Sequence, residues 1–153
     1  PYRIYDPLKG SELSVGEALL SPTRTYLPLL KKISSELGNE LKGAVHCSGG
    51  GQTKCLKFGT KVKYVKDSMF EPPPIFSEIK RVSQTSTKEM YQVYNMGHRL
   101  EIFCDSRYEK SVLEIAKEFR IDAKVIGYTE TRNDNLPTNQ LDINYREGLI
   151  SYG

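Results

Sequence analysis

In Leu41-Lys42-Gly43-Ala44-Val45-His46-Cys47-Ser48-Gly49-Gly50-Gly51, a short apolar run stops abruptly at three glycines. The run reads as a buried strand from Leu41 to Cys47 feeding a glycine loop, with a short helix from Gln52 to Leu56. Glycines have no Cβ to block the approach of another group, and they reach left-handed conformations cheaply. With a helix behind the loop, free backbone N–H groups can converge on an anion in front of it. Thr53 adds a hydroxyl and Lys54 a positive charge. The competing reading is steric, a tight turn past which another backbone runs closely. His46 stands at the strand end, where an imidazole can exchange a proton or donate to an oxyanion. Taken alone, a packed histidine bonded to backbone is the simpler reading. Cys47 has no evident base partner and is expected in the core.

Working outward, the residues through Ser21-Pro22-Thr23-Arg24 are polar and broken by Pro and Gly, a leader loop. Tyr26, Leu29, Leu30, Ile33 and Leu37 then recur at helical spacing up to Gly38, with Pro28 tolerable in the first turn. Beyond the glycines, Val62 and Tyr64 alternate with Lys61 and Lys63, a half-exposed strand. Pro72-Pro73-Pro74 introduces a helix from Ile75 to Val82, and Ser86 with Glu89 forms a capping box for another through Tyr94. Leu100, Ile102 and Cys104 predict a strand, Asp105 or Ser106 a cap, and Tyr108 to Phe119 an amphipathic helix. Ala123 to Tyr128 reads as a strand, Thr131 to Thr138 as a flexible loop, and Leu141 to Tyr152 as a hairpin around Glu147-Gly148. Strands alternating with helices favour an α/β sandwich of two or three layers.

Composition narrows the function classes. The 153 residues carry a net charge of +3, but acidic and basic residues are interspersed. That argues against a nucleic-acid binder, which concentrates positive charge on one stripe. The clusters Lys31-Lys32 and Lys61 to Lys66 read as exposed faces. No apolar run approaches the ~20 residues that span a membrane. A start without Met or an apolar signal core is expected of part of a longer chain or of a processed product. Three cysteines without metal-type spacing are expected as reduced thiols of a cytoplasmic protein, with no metal site. Arg24 can fork two hydrogen bonds to phosphate or carboxylate, and Thr23 can cap the helix behind it. His98-Arg99 offers a second, weaker polar contact.

Several segments together resemble the C-terminal domain of the aminoimidazole ribonucleotide (AIR) synthetase family. Leu20-Ser21-Pro22-Thr23-Arg24-Thr25-Tyr26, His46 to Gly51, Pro73-Pro74-Ile75-Phe76, Glu89-Met90-Tyr91 with Asn95-Met96-Gly97, and Val125-Ile126-Gly127 occur in the family's order. The likeness runs from about Leu19 to Tyr128. It implies an α/β fold, a three-layer α/β/α sandwich with a mixed sheet. Residues 1–20 would then be a leader from an N-terminal domain, 19–130 the domain itself, and 131–153 its closing loop and hairpin.

The implied reaction is ATP-dependent conversion of formylglycinamidine ribonucleotide to AIR, an enzymatic cyclo-ligase step of purine biosynthesis. ATP and Mg2+ would be bound mainly by the N-terminal domain. The implied partners are the phosphorylated ribonucleotide, that N-terminal domain and a second copy in a homodimer. His46 is the implied proton-transfer group, and Thr23, Arg24, Ser48, Gly49, Gly50, Gly51 and Lys54 the implied substrate contacts. The fragment alone is expected to be inactive. The sequence departs from the family at Gln52 to Lys57, where Asn and then Pro-Arg are usual, and at His98-Arg99, where a small apolar residue and Gly are usual. Related ATP-dependent enzymes of the superfamily, and a non-catalytic phospho-ligand or RNA-binding module, are the alternatives.

Overall fold

A computed structural model describes residues 2–134 and 136–153. Asn135, inside the expected loop, and Pro1, at the head of the expected leader, lie outside them. The elements are α1 (Val15–Leu19), α2 (Leu27–Leu37), β1 (Leu41–His46), β2 (Val62–Lys66), α3 (Pro74–Ser83), α4 (Thr87–Val93), β3 (Leu100–Cys104), α5 (Glu109–Glu118), β4 (Gly127–Thr131), β5 (Gln140–Tyr145) and β6 (Gly148–Tyr152). Short 3-10 turns precede β1, follow the glycine loop (Gly51–Lys57) and precede α5. The class is α/β, as expected, with the strands divided between two sheets. β1 and β3 pair antiparallel, and the second sheet runs β4-β2-β5-β6. Its β2–β5 pair is parallel and its other pairs antiparallel, so it is mixed.

The alternation of side chains along β3 explains how the layers meet. Leu100, Ile102 and Cys104 pack on the cluster formed by Leu29, Ile33 and Leu37 of α2 with Ile115 and Ala116 of α5. The opposite face carries Glu101 and Phe103, because successive side chains of a strand point to opposite sides. Phe103 meets Tyr64 of β2 edge-on, with ring centroids 5.6 Å apart. Two residues further along β2, Lys66 meets Glu101. Both faces of this small sheet are therefore covered, one by helices and one by the second sheet. The second core cluster joins Tyr64, Leu141, Ile143 and Ile150 to Met90, Tyr91, Met96 and Cys55.

Three expectations change. The strand expected at Ala123 to Tyr128 begins only at Gly127, because β2, its partner, ends at Lys66 opposite Gly127. Upstream of that point the Ile126 carbonyl accepts from the N–H groups of Asp67 and Ser68, outside the strand ladder. The Lys61 to Lys66 cluster is not wholly an exposed face: Lys66 is 3% exposed. Of the two caps expected ahead of α5, Asp105 is the one that accepts from the backbone, and a 3-10 turn intervenes. The leader is ordered structure rather than plain loop. Ser14 and Glu17 make a reciprocal capping box at α1, and Leu8 and Val15 are buried. Tyr2 donates its hydroxyl to Glu78 of α3 at 2.6 Å, with Arg81 over its ring.

Candidate functional site

The glycine loop leaves β1 at His46 and enters the 3-10 turn at Gly51. All three glycines take positive φ, +62° at Gly49, +104° at Gly50 and +49° at Gly51. They are not equivalent. Gly49 is exposed and Gly50 half-buried, whereas Gly51 is buried. A Cβ on Gly51 would stand 2.5 Å from the carbonyl oxygen of Tyr94 and 2.6 Å from that of Tyr91, whereas one on Gly49 would meet nothing. The steric reading thus holds for the third glycine, which lets the end of α4 pass close behind the loop. The first two remain open. None of the hydrogen bonds among the described residues uses the N–H of Gly49, Gly50 or Gly51.

Neighbouring side chains brace the loop. Thr53 donates its hydroxyl to the Gly50 carbonyl at 2.8 Å, and Lys54 donates to the Ser48 carbonyl at 2.9 Å. The Nδ1 atom of His46 lies 2.8 Å from the Ser48 hydroxyl and also accepts the Ser48 N–H at 3.3 Å. An accepting Nδ1 places the proton of the neutral ring on Nε2. The ring packs edge-on against Tyr26 at 5.9 Å. In front of the loop, Gly49, Gly50, Thr53 and Lys57 form one wall of an open hollow of about 780 Å³, and Ser86, Lys88, Glu89 and Gln92 of the α4 region form much of the other. Thus His46 at the end of β1, Ser48, Gly49 and Gly50 in the loop and Lys54 in the turn behind it adjoin one another, and of these Gly49 and Gly50 line the hollow.

Thr23 and Arg24 are exposed on the approach to α2. Arg24 donates to the Arg120 carbonyl at 3.1 Å, so its guanidinium is partly engaged. The two segments are connected by Arg99, whose side chain donates to the Pro22 carbonyl at 3.1 Å and whose own carbonyl accepts from Cys47 N–H at 2.7 Å.

Beneath the loop lies a buried polar cluster that the sequence did not announce. Lys66 donates to Glu101 Oε1 at 2.5 Å, to the Gln52 carbonyl at 2.8 Å and to Gln52 Oε1 at 3.1 Å. Gln52 in turn donates to the carbonyls of Asn95 and His98, at 2.6 and 3.3 Å. Glu101 Oε1 also lies 3.2 Å from His98 Nε2 and 3.3 Å from the Cys47 thiol. Glu101 Oε2 and His98 Nδ1 have no partner among the described residues. Burial by itself pushes the Glu101 carboxyl up, but the His98 hydrogen bond and the Lys66 charge outweigh it and leave the group below the usual carboxylate range. Burial and the adjacent carboxylate push the Cys47 thiol well up, so it sits in the core as an inert thiol.

Cys47, His98 and Glu101 bring three potential metal ligands within 4.8 Å of one another. The cation at that place is the Lys66 ammonium. A thiol and an imidazole are also the wrong donors for Mg2+, which prefers oxygen and keeps its waters. Two sequence signals pointed here: Lys66 continues the inward phase of Tyr64, and Glu101 interrupts an otherwise apolar strand. Neither signal decides the matter locally, because a strand in an open sheet commonly buries one face only.

A family model described as "AIR synthase related protein, C-terminal domain" matches residues 3–136. Among curated relatives, a phosphoribosylformylglycinamidine cyclo-ligase of Methanocaldococcus jannaschii is 36% identical over 114 residues, 74% of this chain and 33% of the relative. The enzyme of the same name from Methanopyrus kandleri is 30% identical over 129 residues, covering 84% and 36%. That of Caldanaerobacter subterraneus is 34% identical over 130 residues, covering 82% and 38%. The chain spans about a third of the length of these relatives. No helix among the described residues is long and apolar enough to cross a membrane. With a match that takes in the glycine loop, both sheets' first strands and the packed leader, the chain belongs to the AIR synthase related family, as its C-terminal domain.

Proposed function

We propose that this chain is the substrate-side domain of an ATP-dependent cyclo-ligase that closes the imidazole ring of AIR from formylglycinamidine ribonucleotide in the cytoplasm. The observation that carries the reading is the open half of the glycine loop: Gly49 and Gly50 have backbone N–H groups without partners among the described residues, at the edge of an open hollow that Thr53, Lys57, Ser86 and Lys88 also line. Such a concavity suits the phosphate of a ribonucleotide. The names of the relatives supply the reaction.

In this reading Gly49 and Gly50 receive the substrate at the hollow, Ser48 and Lys54 adjoin them along the chain, and Thr23 and Arg24, which do not line the hollow, contact the substrate from the approach to α2. Gly51 acts from behind, by letting α4 approach. His46 carries a proton on Nε2 and is the group suited to proton transfer during ring closure. The residues present here do not suit Mg2+, so ATP and Mg2+ are assigned to a preceding N-terminal domain, which with a second copy of the protein completes the working enzyme. The domain's own contribution is to hold the ribonucleotide in place and to support developing charge.

The test is ring closure by the full-length protein, assayed beside the ATP-dependent reactions of the sister enzymes. H46N and H46A should lower turnover by about 10²–10⁴-fold, the usual scale of general acid–base catalysis. Wild-type turnover in both variants would remove His46 from the reaction. Absence of ring closure in the wild-type protein would remove the cyclo-ligase reading itself.

A further inference from the structure

We propose that Lys66 and Glu101 are positioning residues for the glycine loop: a buried ion pair between the two sheets grips the backbone just after Gly51 and holds the loop in the shape it presents to a phosphate-bearing ligand. The inference rests on the loop being the phosphate site, and adds to it what sets that site's shape.

The geometry is specific. Lys66 is the last residue of β2, in the four-stranded sheet, and Glu101 lies on β3, in the two-stranded one. Their side chains are 4% and 3% exposed and meet at 2.5 Å. The ion pair uses only one of the ammonium's three N–H donors, and the other two could have been met by any acceptor of either sheet. Instead its remaining donors go to the main-chain carbonyl and side-chain oxygen of Gln52, the first residue after the glycines. The Gln52 amide group is spent on Asn95 and His98, at the far side of the turn. Gln52 is therefore held from both ends, and Gly51 is pinned between it and the carbonyls of Tyr91 and Tyr94.

The carboxylate fixes the ammonium from the other side. Glu101 Oε1 is shared by Lys66, His98 and the Cys47 thiol, and Cys47 precedes the loop as Gln52 follows it. One oxygen thus ties both ends of the loop to one point. Gln52, Lys66, His98 and Glu101 are all among the buried polar residues, so water does not weaken these bonds. Neither Lys66 nor Glu101 lines the hollow, so neither touches a ligand there.

Charge balance and positioning can be separated experimentally. Removing one partner leaves a buried charge, whereas K66M/E101L removes both and replaces them with apolar groups of similar size. The double variant keeps a neutral core but loses the grip on Gln52. In the full-length protein, two quantities are measured beside the thermal midpoint: hydrogen exchange of the peptide from Gly51 to Phe58, and binding of inorganic phosphate and ribose 5-phosphate. The expected result is a midpoint close to wild type, with exchange and phosphate dissociation constants both raised roughly 10- to 100-fold, the size of a lost charge-assisted hydrogen bond. If K66M/E101L does not fold, K66M/E101Q, which keeps a polar group on β3, takes its place. Unchanged exchange in the folded variant would overturn the inference, as would faster exchange with unchanged phosphate affinity. Faster exchange in a protein whose wild type ignores both phosphate probes would support positioning of the loop while removing the phosphate reading.

Discussion

Replacing Gly51 by Ala should be far more damaging than the same change two residues earlier. At Gly51 the backbone has φ +49°, and the added methyl would lie 2.5 and 2.6 Å from two main-chain oxygens. The left-handed conformation costs a non-glycine residue about 1–2 kcal/mol. Overpacking a filled site adds about 1–3 kcal/mol, and here the obstruction is backbone, which cannot rotate aside as a side chain would. The sum is about 2–5 kcal/mol. Gly49 has φ +62° but nothing within 4 Å of the added methyl, so only the conformational part applies. Urea titration of the two variants compares them directly, since a lower midpoint at unchanged slope reports stability alone. In a thermal scan, about 2–4 °C is lost per kcal/mol in a protein of ~150–250 residues. G51A should therefore melt well below G49A, while G49A, altered at the open mouth, should be the variant that binds phosphate poorly. Equal stability of the two would refute the view that the third glycine exists to admit α4.

Two other outcomes follow from the buried cluster. Glu101 titrates below its ordinary value of 4.5 in the folded protein, so its contribution is complete above about that pH and disappears as pH falls through the lower folded value. Acid unfolding curves should accordingly fall less steeply for E101Q than for wild type; parallel curves would exclude this linkage. The cysteines should react in a fixed order with an alkylating reagent followed by mass spectrometry. Cys104, only half-buried, labels first, whereas Cys55, pushed up to about 11 by burial, and Cys47, pushed further, label only on unfolding. Early labelling of Cys47 would show that the cluster opens in the native state.

Local signals suffice where local physics decides the outcome. The apolar spacing of Tyr26 to Leu37, the proline before Ile75 and the serine cap at Ser86 all lead to helices. The glycine loop was legible because three such residues after a strand leave few alternatives. What escaped was decided at a distance. The start of β4 is fixed by where β2 ends, some sixty positions earlier in the chain. Lys66 belongs to a cluster that reads as an exposed face, and nothing in β2 or β3 says that the face carrying Lys66 or Glu101 will be covered. Gly51 differs from Gly49 only through Tyr91 and Tyr94, which no local pattern links to it.

The parallel pairing of β2 with β5 also bears on how the molecule comes into being. β5 lies between β2 and β6, and supplies Leu141 and Ile143, both wholly shielded from solvent. As the polypeptide emerges from the ribosome, β2 must wait for this neighbour until β5 has appeared. Until then Tyr64 and Met90 lack the wall against which they rest, and closing that long loop is entropically slow. A recombinant product trimmed at residue 136, where the family likeness stops, would keep the glycine loop yet lack the strand behind it. It should emerge sticky and unfolded rather than as a smaller working unit.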